Sequence, residues 1–229
     1  MGHDCGACDG RLVAAAGAIL LLLNLRGGRY CLYPFTLFST WVHEISHGIA
    51  ALFVGGRLNS LQVFRDGSGL ASFRCSGRLR HAFVASAGYL GTAVVGAAML
   101  LSRRSADTGL VGLGCTGGLI LLSVVLLVRN LFGALALIVV GFSLVAAGLG
   151  LPPATSAALY TFMAATCCLN AVTSVRELFG RGAVVVGGRP MLTDAQKVAD
   201  LLGLPYWFWA TLWLATSLLL VAVGVRYGG

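Results

Sequence analysis

The amino-acid sequence predicts an all-α polytopic membrane protein, with about six to seven transmembrane helices and a short β-hairpin in the loop after the second span. Three observations predict it. Of 229 residues, 58% are hydrophobic and only 10% are charged, where a soluble globular domain carries about 25% charged residues. The apolar residues fall into runs close to the ~20 residues that cross a bilayer as a helix. Between two of these runs, alternating residues flank an Asp-Gly pair, the pattern of a tight hairpin. No stretch between the runs could form a second, soluble domain. Residues 1–229 therefore read as one integral-membrane domain, with 1–11 as a flexible N-terminal tail.

In chain order the runs lie at about 12–25, 31–55, 82–101, 110–128, 131–150, 154–175 and 206–225. The first is short, which suits a helix only partly inserted. It reads as a retained span, because Asp4 and Asp9 oppose Arg11 ahead of it and "RGGRY" follows it, unlike a cleaved leader. Little more than Arg129 and Asn130 separates the fourth and fifth runs, so a tight turn or a re-entrant pair is expected there. Pro152-Pro153 divides the fifth from the sixth. The third span holds "SAGYLGTAVVGAA", whose small residues allow close helix packing.

The two long loops carry the remaining structure. In loop 56–81, Leu61 and Val63 alternate before Asp66-Gly67, and Ala71, Phe73 and Cys75 alternate after it. In loop 176–205, a short apolar run "GAVVVGG" precedes "PMLTDAQKVADLLGLP". There Thr193 or Asp194 is a suitable N-cap for a helix that ends at Gly203.

The net charge is +8, and Lys197 is the only lysine among sixteen basic residues. No basic helix or aromatic platform accompanies the charge, so nucleic acid is not an expected partner. Arg26, Arg29, Arg103, Arg104 and Arg226 fall on one side of the membrane; the other basic residues, concentrated in the two long loops, fall opposite. The positive-inside rule then puts the N-terminus and both long loops on the cytosolic side. The seven cysteines form no disulfide framework. Cys31, Cys115, Cys167 and Cys168 lie in apolar runs and act as small hydrophobes, while the lone CxxC of Cys5 and Cys8 leaves its role open.

Chemistry concentrates in "WVHEISHGIAALFVGG", residues 41–56. A charge at the centre of a span costs ~2.5–3.5 kcal/mol even on the lenient insertion scale. Glu44 is nevertheless placed there, the sole acidic residue within the seven runs. His43, Glu44 and His47 form H-E-x-x-H on a helix: imidazoles at i and i+4 share a face and reach one zinc ion, with the glutamate beside them as a base. A catalytic zinc has three protein ligands and an open position, so a third ligand comes from elsewhere. Asp107 is on the wrong side, and Asp66 is a solvated turn residue. Asp194 is favoured, with Glu177, Asp200 and His81 as alternatives. Asn130 and Asn170 are polar groups in or beside apolar segments, suited to helix–helix hydrogen bonds or to a substrate backbone.

HEISH in an early span, "GGRLNSLQVFRDGSG", the glycine-rich third span and a late "TDA" together resemble the site-2 protease group of membrane-embedded zinc metallopeptidases. The resemblance is to its smaller bacterial and plant or algal branch and covers about residues 38–215. "MLTDAQ" stands where better-known members carry N-x-x-P…L-D-G. The resemblance implies one Zn2+ per chain held by His43, His47 and Asp194, with Glu44 as the catalytic base. It also implies hydrolysis of peptide bonds in or next to membrane-spanning segments, with a transmembrane peptide as substrate and the bilayer as surroundings. The alternative is a catalytically inactive zinc-binding membrane protein that serves as a partner-binding or regulatory module. A metal transporter would spread its polar groups over several spans, and this chain gathers them in one.

Overall fold

The computed structural model describes residues 10–103, 106–174 and 183–228. Residues 1–9 of the expected tail, Cys5 and Cys8 among them, lie outside these, as does Glu177. Eight helices occur among the described residues: α1 (Gly10–Asn24), α2 (Gly28–Phe53), α3 (Arg78–Ser102), α4 (Ala106–Leu126), α5 (Leu131–Gly150), α6 (Pro153–Thr173), α7 (Asp194–Leu202) and α8 (Tyr206–Tyr227). All but α7 coincide with the seven predicted runs. α1 starts at Gly10, inside the stretch expected to be tail.

Five helices, α3, α4, α5, α6 and α8, are long and apolar enough to cross a membrane. α1, with 15 residues, is shorter. α2 has 26 residues, but its hydropathy is diluted by Ser39, Thr40, His43, Glu44, Ser46 and His47. On α4 and α5, side chains such as Val125 and Leu149 are 75% and 85% exposed. Apolar surface on that scale needs a hydrocarbon surround. The chain is a multi-pass membrane protein.

The predicted hairpin forms from β1 (Arg57–Val63) and β2 (Gly69–Arg74), antiparallel, with a register slip between Leu58 and Ser60. Its turn is set by Asp66, whose Oδ1 accepts from the Ser68 backbone N–H at 2.9 Å and its hydroxyl at 2.6 Å. Gly67 there adopts φ 84°, in the left-handed region that glycine enters without penalty.

The hairpin folds back along α2. Leu58 lies against Gly48 and Gly69 against Glu44 and Thr40. Thr40 donates its hydroxyl to the Gly67 carbonyl at 2.6 Å, and Tyr33 donates to the Arg65 carbonyl at 2.8 Å. From Gly48 to Thr36 is about 18 Å of helix, so the hairpin re-enters the helical body. Irregular backbone at such depth must have its polar groups satisfied by protein, and the α4–α5 turn does so. The Leu61 N–H donates to the Leu127 carbonyl at 2.9 Å, and the Arg129 N–H to the Leu61 carbonyl at 3.1 Å. Asn130 completes the edge, accepting from the Val63 N–H at 3.2 Å and donating to the Val63 carbonyl at 2.7 Å. Asn130 thus holds the outer edge of β1 in place.

A second hairpin forms where the sequence shows only a short apolar run: within "GAVVVGG" lies β3 (Ala183–Val186), paired with β4 (Arg189–Leu192). Gly187 and Gly188, at φ 55° and 80°, make its two-residue turn. The Gly187 N–H donates to the Ser68 hydroxyl at 3.1 Å, which ties the two hairpin tips together.

Asn130→Ala should remove both bonds to Val63 and leave a buried backbone pair unsatisfied, at ~1–3 kcal/mol per group. A fall in the thermal midpoint of several degrees in detergent is expected, against little change for Asn24→Ala at an exposed position. Equal midpoints for the two variants would show that the hairpin edge is held by other contacts.

Candidate metal centre

The site is built where α2, α3 and α7 meet. On α2, His43 and His47 lie one turn apart with Nε2 atoms 3.1 Å from each other. α7 starts at Asp194 because Thr193 caps it, its hydroxyl accepting from the Gln196 N–H at 3.2 Å. It ends at Gly203, φ 83°, as expected from the sequence. Ala195 and Val198 seat α7 on Ala82, Ala85 and Tyr89 of α3. Arg78 of α3 donates through Nε to the Leu201 carbonyl at 2.9 Å, holding the other end of α7.

This seating aims the Asp194 carboxylate at the histidines. Its Oδ2 lies 3.4 Å from His43 Nε2 and 3.3 Å from His47 Nε2. Ligands about 2.0–2.1 Å from a tetrahedral zinc are spaced about 3.3–3.4 Å from one another. The three donor atoms therefore have the spacing of three corners of such a tetrahedron, and together they could hold a metal ion.

Neighbouring groups fix the donors. His47 Nδ1 lies 2.7 Å from the Val84 carbonyl; an N–H there leaves the Nε2 lone pair facing Asp194, the outer-shell arrangement that orients a ligating imidazole. Tyr89 meets the His43 ring edge-on at 4.7 Å and is itself stacked on Trp213 of α8 at 5.5 Å. Space for an ion is left by Gly88 of α3: a Cβ there would stand 2.4 Å from both Nε2 atoms. Gly91, one turn on, likewise admits Ser46. The close packing expected of "SAGYLGTAVVGAA" is used to bring α3 against the polar face of α2.

Burial alone pushes the Asp194 carboxyl up, but the neighbouring histidines, His47 first, and Lys197 outweigh it and hold it well below the usual carboxylate range. It is thus an anion throughout the neutral range. Lys197 Nζ sits 2.8 Å from Asp194 Oδ1. Burial lowers the Lys197 ammonium, while Asp194, followed by Glu44, more than restores it.

Glu44 is buried beside the cluster without joining it. Its side chain lies over Gly69 at the start of β2. The donors and Glu44 open into a cleft of about 710 Å³ between α2, α6 and the two hairpins, lined in part by Asn170, Ala71, Val185 and Lys197.

The other sequence candidates lie elsewhere. His81 is engaged with the Cys75 carbonyl at 2.7 Å, Asp200 accepts from Gln196 at 2.7 Å, and Asp66 is spent on its own turn. Sequence reasoning missed Lys197 and Gly88. Spacing did signal Lys197, since Asp194 and Lys197 are at i and i+3; Gly88 falls in the stretch expected to pack closely, but nothing local pointed to its place against the imidazoles.

A family model, Peptidase M50B-like, matches residues 12–224. The chain belongs to this family. It is thus a member of the site-2 protease group, the resemblance that HEISH within an apolar run carried. The match takes in every described helix at least in part, and all of the hairpins and the donor cluster. No curated protein and no solved structure matches the chain.

Gly88→Ala is expected to push the two imidazoles apart and lower the metal retained on purification. Gly118→Ala, where a Cβ would meet nothing within 4 Å, should retain it. Metal analysis of both proteins decides; full retention by Gly88→Ala would mean that the cluster is not the binding site.

Proposed function

We propose that the protein is a zinc-dependent intramembrane endopeptidase that hydrolyses peptide bonds in or next to membrane-spanning segments. The observation that carries this reading is the convergence of His43, His47 and Asp194, from two distant segments, beside the buried carboxylate of Glu44. Two neutral imidazoles and one carboxylate, with a fourth position free, are a donor set suited to catalytic zinc. When bound, zinc would supply Lewis acidity, activating water and polarising a carbonyl.

The remaining roles belong to the chain. His43 and His47 would hold the ion through Nε2 and Asp194 through Oδ2. Glu44 accepts the proton of the attacking water on its carboxylate and passes it to the leaving amine, the work of a general base and then a general acid. A site kept for structure alone is closed by four protein ligands and needs no such carboxylate; three donors beside Glu44 among the described residues favour the enzyme over an inactive zinc-binding module.

Substrate would lie along β2. The outer edge of β1 is taken by Leu127–Arg129, whereas β2 pairs with no second strand among the described residues and borders the cleft. An extended segment of a transmembrane peptide could add there as a further strand, its main chain satisfied by hydrogen bonds. The excess of arginine in the two long loops supports a cytosolic side for them and for the cleft between them. Hydrogen bonds already join loop 56–81 to the α4–α5 turn and to the second hairpin, as a shared side requires.

Purified protein should hold about one zinc per chain. His43→Ala and His47→Ala should lose most of it. Glu44→Gln should keep the zinc while cleavage of transmembrane peptides falls ~10²-fold or more. Asp194→Ala should weaken metal binding and abolish cleavage, and Asp200→Ala should do neither. Zinc loss in Glu44→Gln equal to that in the histidine variants, or full activity in Asp194→Ala, would contradict these roles.

A further inference from the structure

Asp194 divides its two oxygens. Oδ2 faces the imidazoles, and Oδ1 faces the Lys197 ammonium at 2.8 Å. We propose that Lys197 is a positioning residue of the metal centre: by occupying Oδ1 it keeps Asp194 a one-oxygen ligand and leaves a coordination position open. The inference rests on the zinc reading above and deepens it.

A free carboxylate beside a divalent ion can bind through one oxygen or both. If Asp194 used both, the position needed for water or a substrate carbonyl would be filled by Oδ1. Lys197 stands one turn further along α7, on the face that carries Asp194. Its side chain remains 42% exposed and lines the cleft. Helix stability alone does not explain it, since an i, i+3 pair contributes only about 0.2–0.5 kcal/mol to a helix. A cation in the first turns of a helix also opposes the helix dipole.

Residue choice supports the same role. Every other basic residue of the chain is an arginine, and lysine appears only here. A guanidinium is a planar fork that grips both oxygens of a carboxylate, and it would draw Oδ2 away from the histidines. An ammonium is a compact point donor and can take Oδ1 alone. The exception in the chain's usage falls where a fork would compete with the metal.

The test is cobalt(II) substitution of the full-length protein in detergent, read by visible absorption, in which four-coordinate cobalt absorbs far more strongly than five- or six-coordinate cobalt. The wild type should show the intense bands of a four-coordinate site. Lys197→Met should lose intensity, because Oδ1 joins the metal. Lys197→Arg should not rescue it and should match the spectrum of Asp194→Ala, because the fork removes the carboxylate. Thermal unfolding of the metal-free proteins should coincide, which separates the effect from misfolding. A wild-type spectrum in Lys197→Met, or full rescue by Lys197→Arg, would overturn the positioning role while leaving the metal site intact. Failure of the wild type to bind cobalt or zinc at His43 and His47 would overturn the metal reading and this inference with it.

Discussion

Two imidazoles and a carboxylate on a helix within a membrane protein are costly unless each has a partner, and that constraint organises the rest of the molecule. α2 presents Ser39, Thr40, His43, Glu44 and His47 to the interior of the body and not to lipid. α3 comes close enough to cover them because it offers Gly88 and Gly91 there. The Val84 carbonyl meets His47, Tyr89 supports His43, and Asp194 supplies the anion that both rings face.

The hairpins follow from the same requirement. A cleft beside Glu44 needs walls, yet loop backbone cannot stand bare in hydrocarbon. The first hairpin resolves this by pairing internally, by taking Leu127–Arg129 as a third edge and by hanging its tip on Tyr33 and Thr40. The second rests on the first through Gly187 and Ser68, and it leads directly into Thr193 and the cap that aims Asp194. Asp194, distant in sequence from the histidines, is thereby delivered by a continuous path: hairpin, cap, then a short helix clamped at its far end by Arg78.

Much of this was legible in the sequence because its signals are local. H-E-x-x-H encodes a shared helical face, Asp66-Gly67 encodes a turn between alternating strands, and Thr193 with Gly203 marks both ends of α7. The spacing of the apolar runs located all seven long or apolar helices. The second hairpin was readable in principle, since Gly187-Gly188 follows three valines, but β4 contains Pro190 and only four residues and so gives little alternation to see. The pairing of Leu61 with Val128, the approach of Gly88 and the hold of Arg78 on Leu201 join segments far apart in sequence. No local pattern encodes them. "MLTDAQ" by itself encodes no approach to HEISH, and it is the seating of α7 on α3 that brings Asp194 to the histidines.

Zinc held by two imidazoles and one carboxylate has a distinctive signature in X-ray absorption at the zinc edge of the purified wild-type protein. A first shell of nitrogen and oxygen donors only is expected, at about 2.0–2.2 Å, with the outer-shell scattering of two imidazoles. A sulfur donor at about 2.3 Å, drawn from the cysteines, or a shell with fewer than two imidazoles, would contradict it.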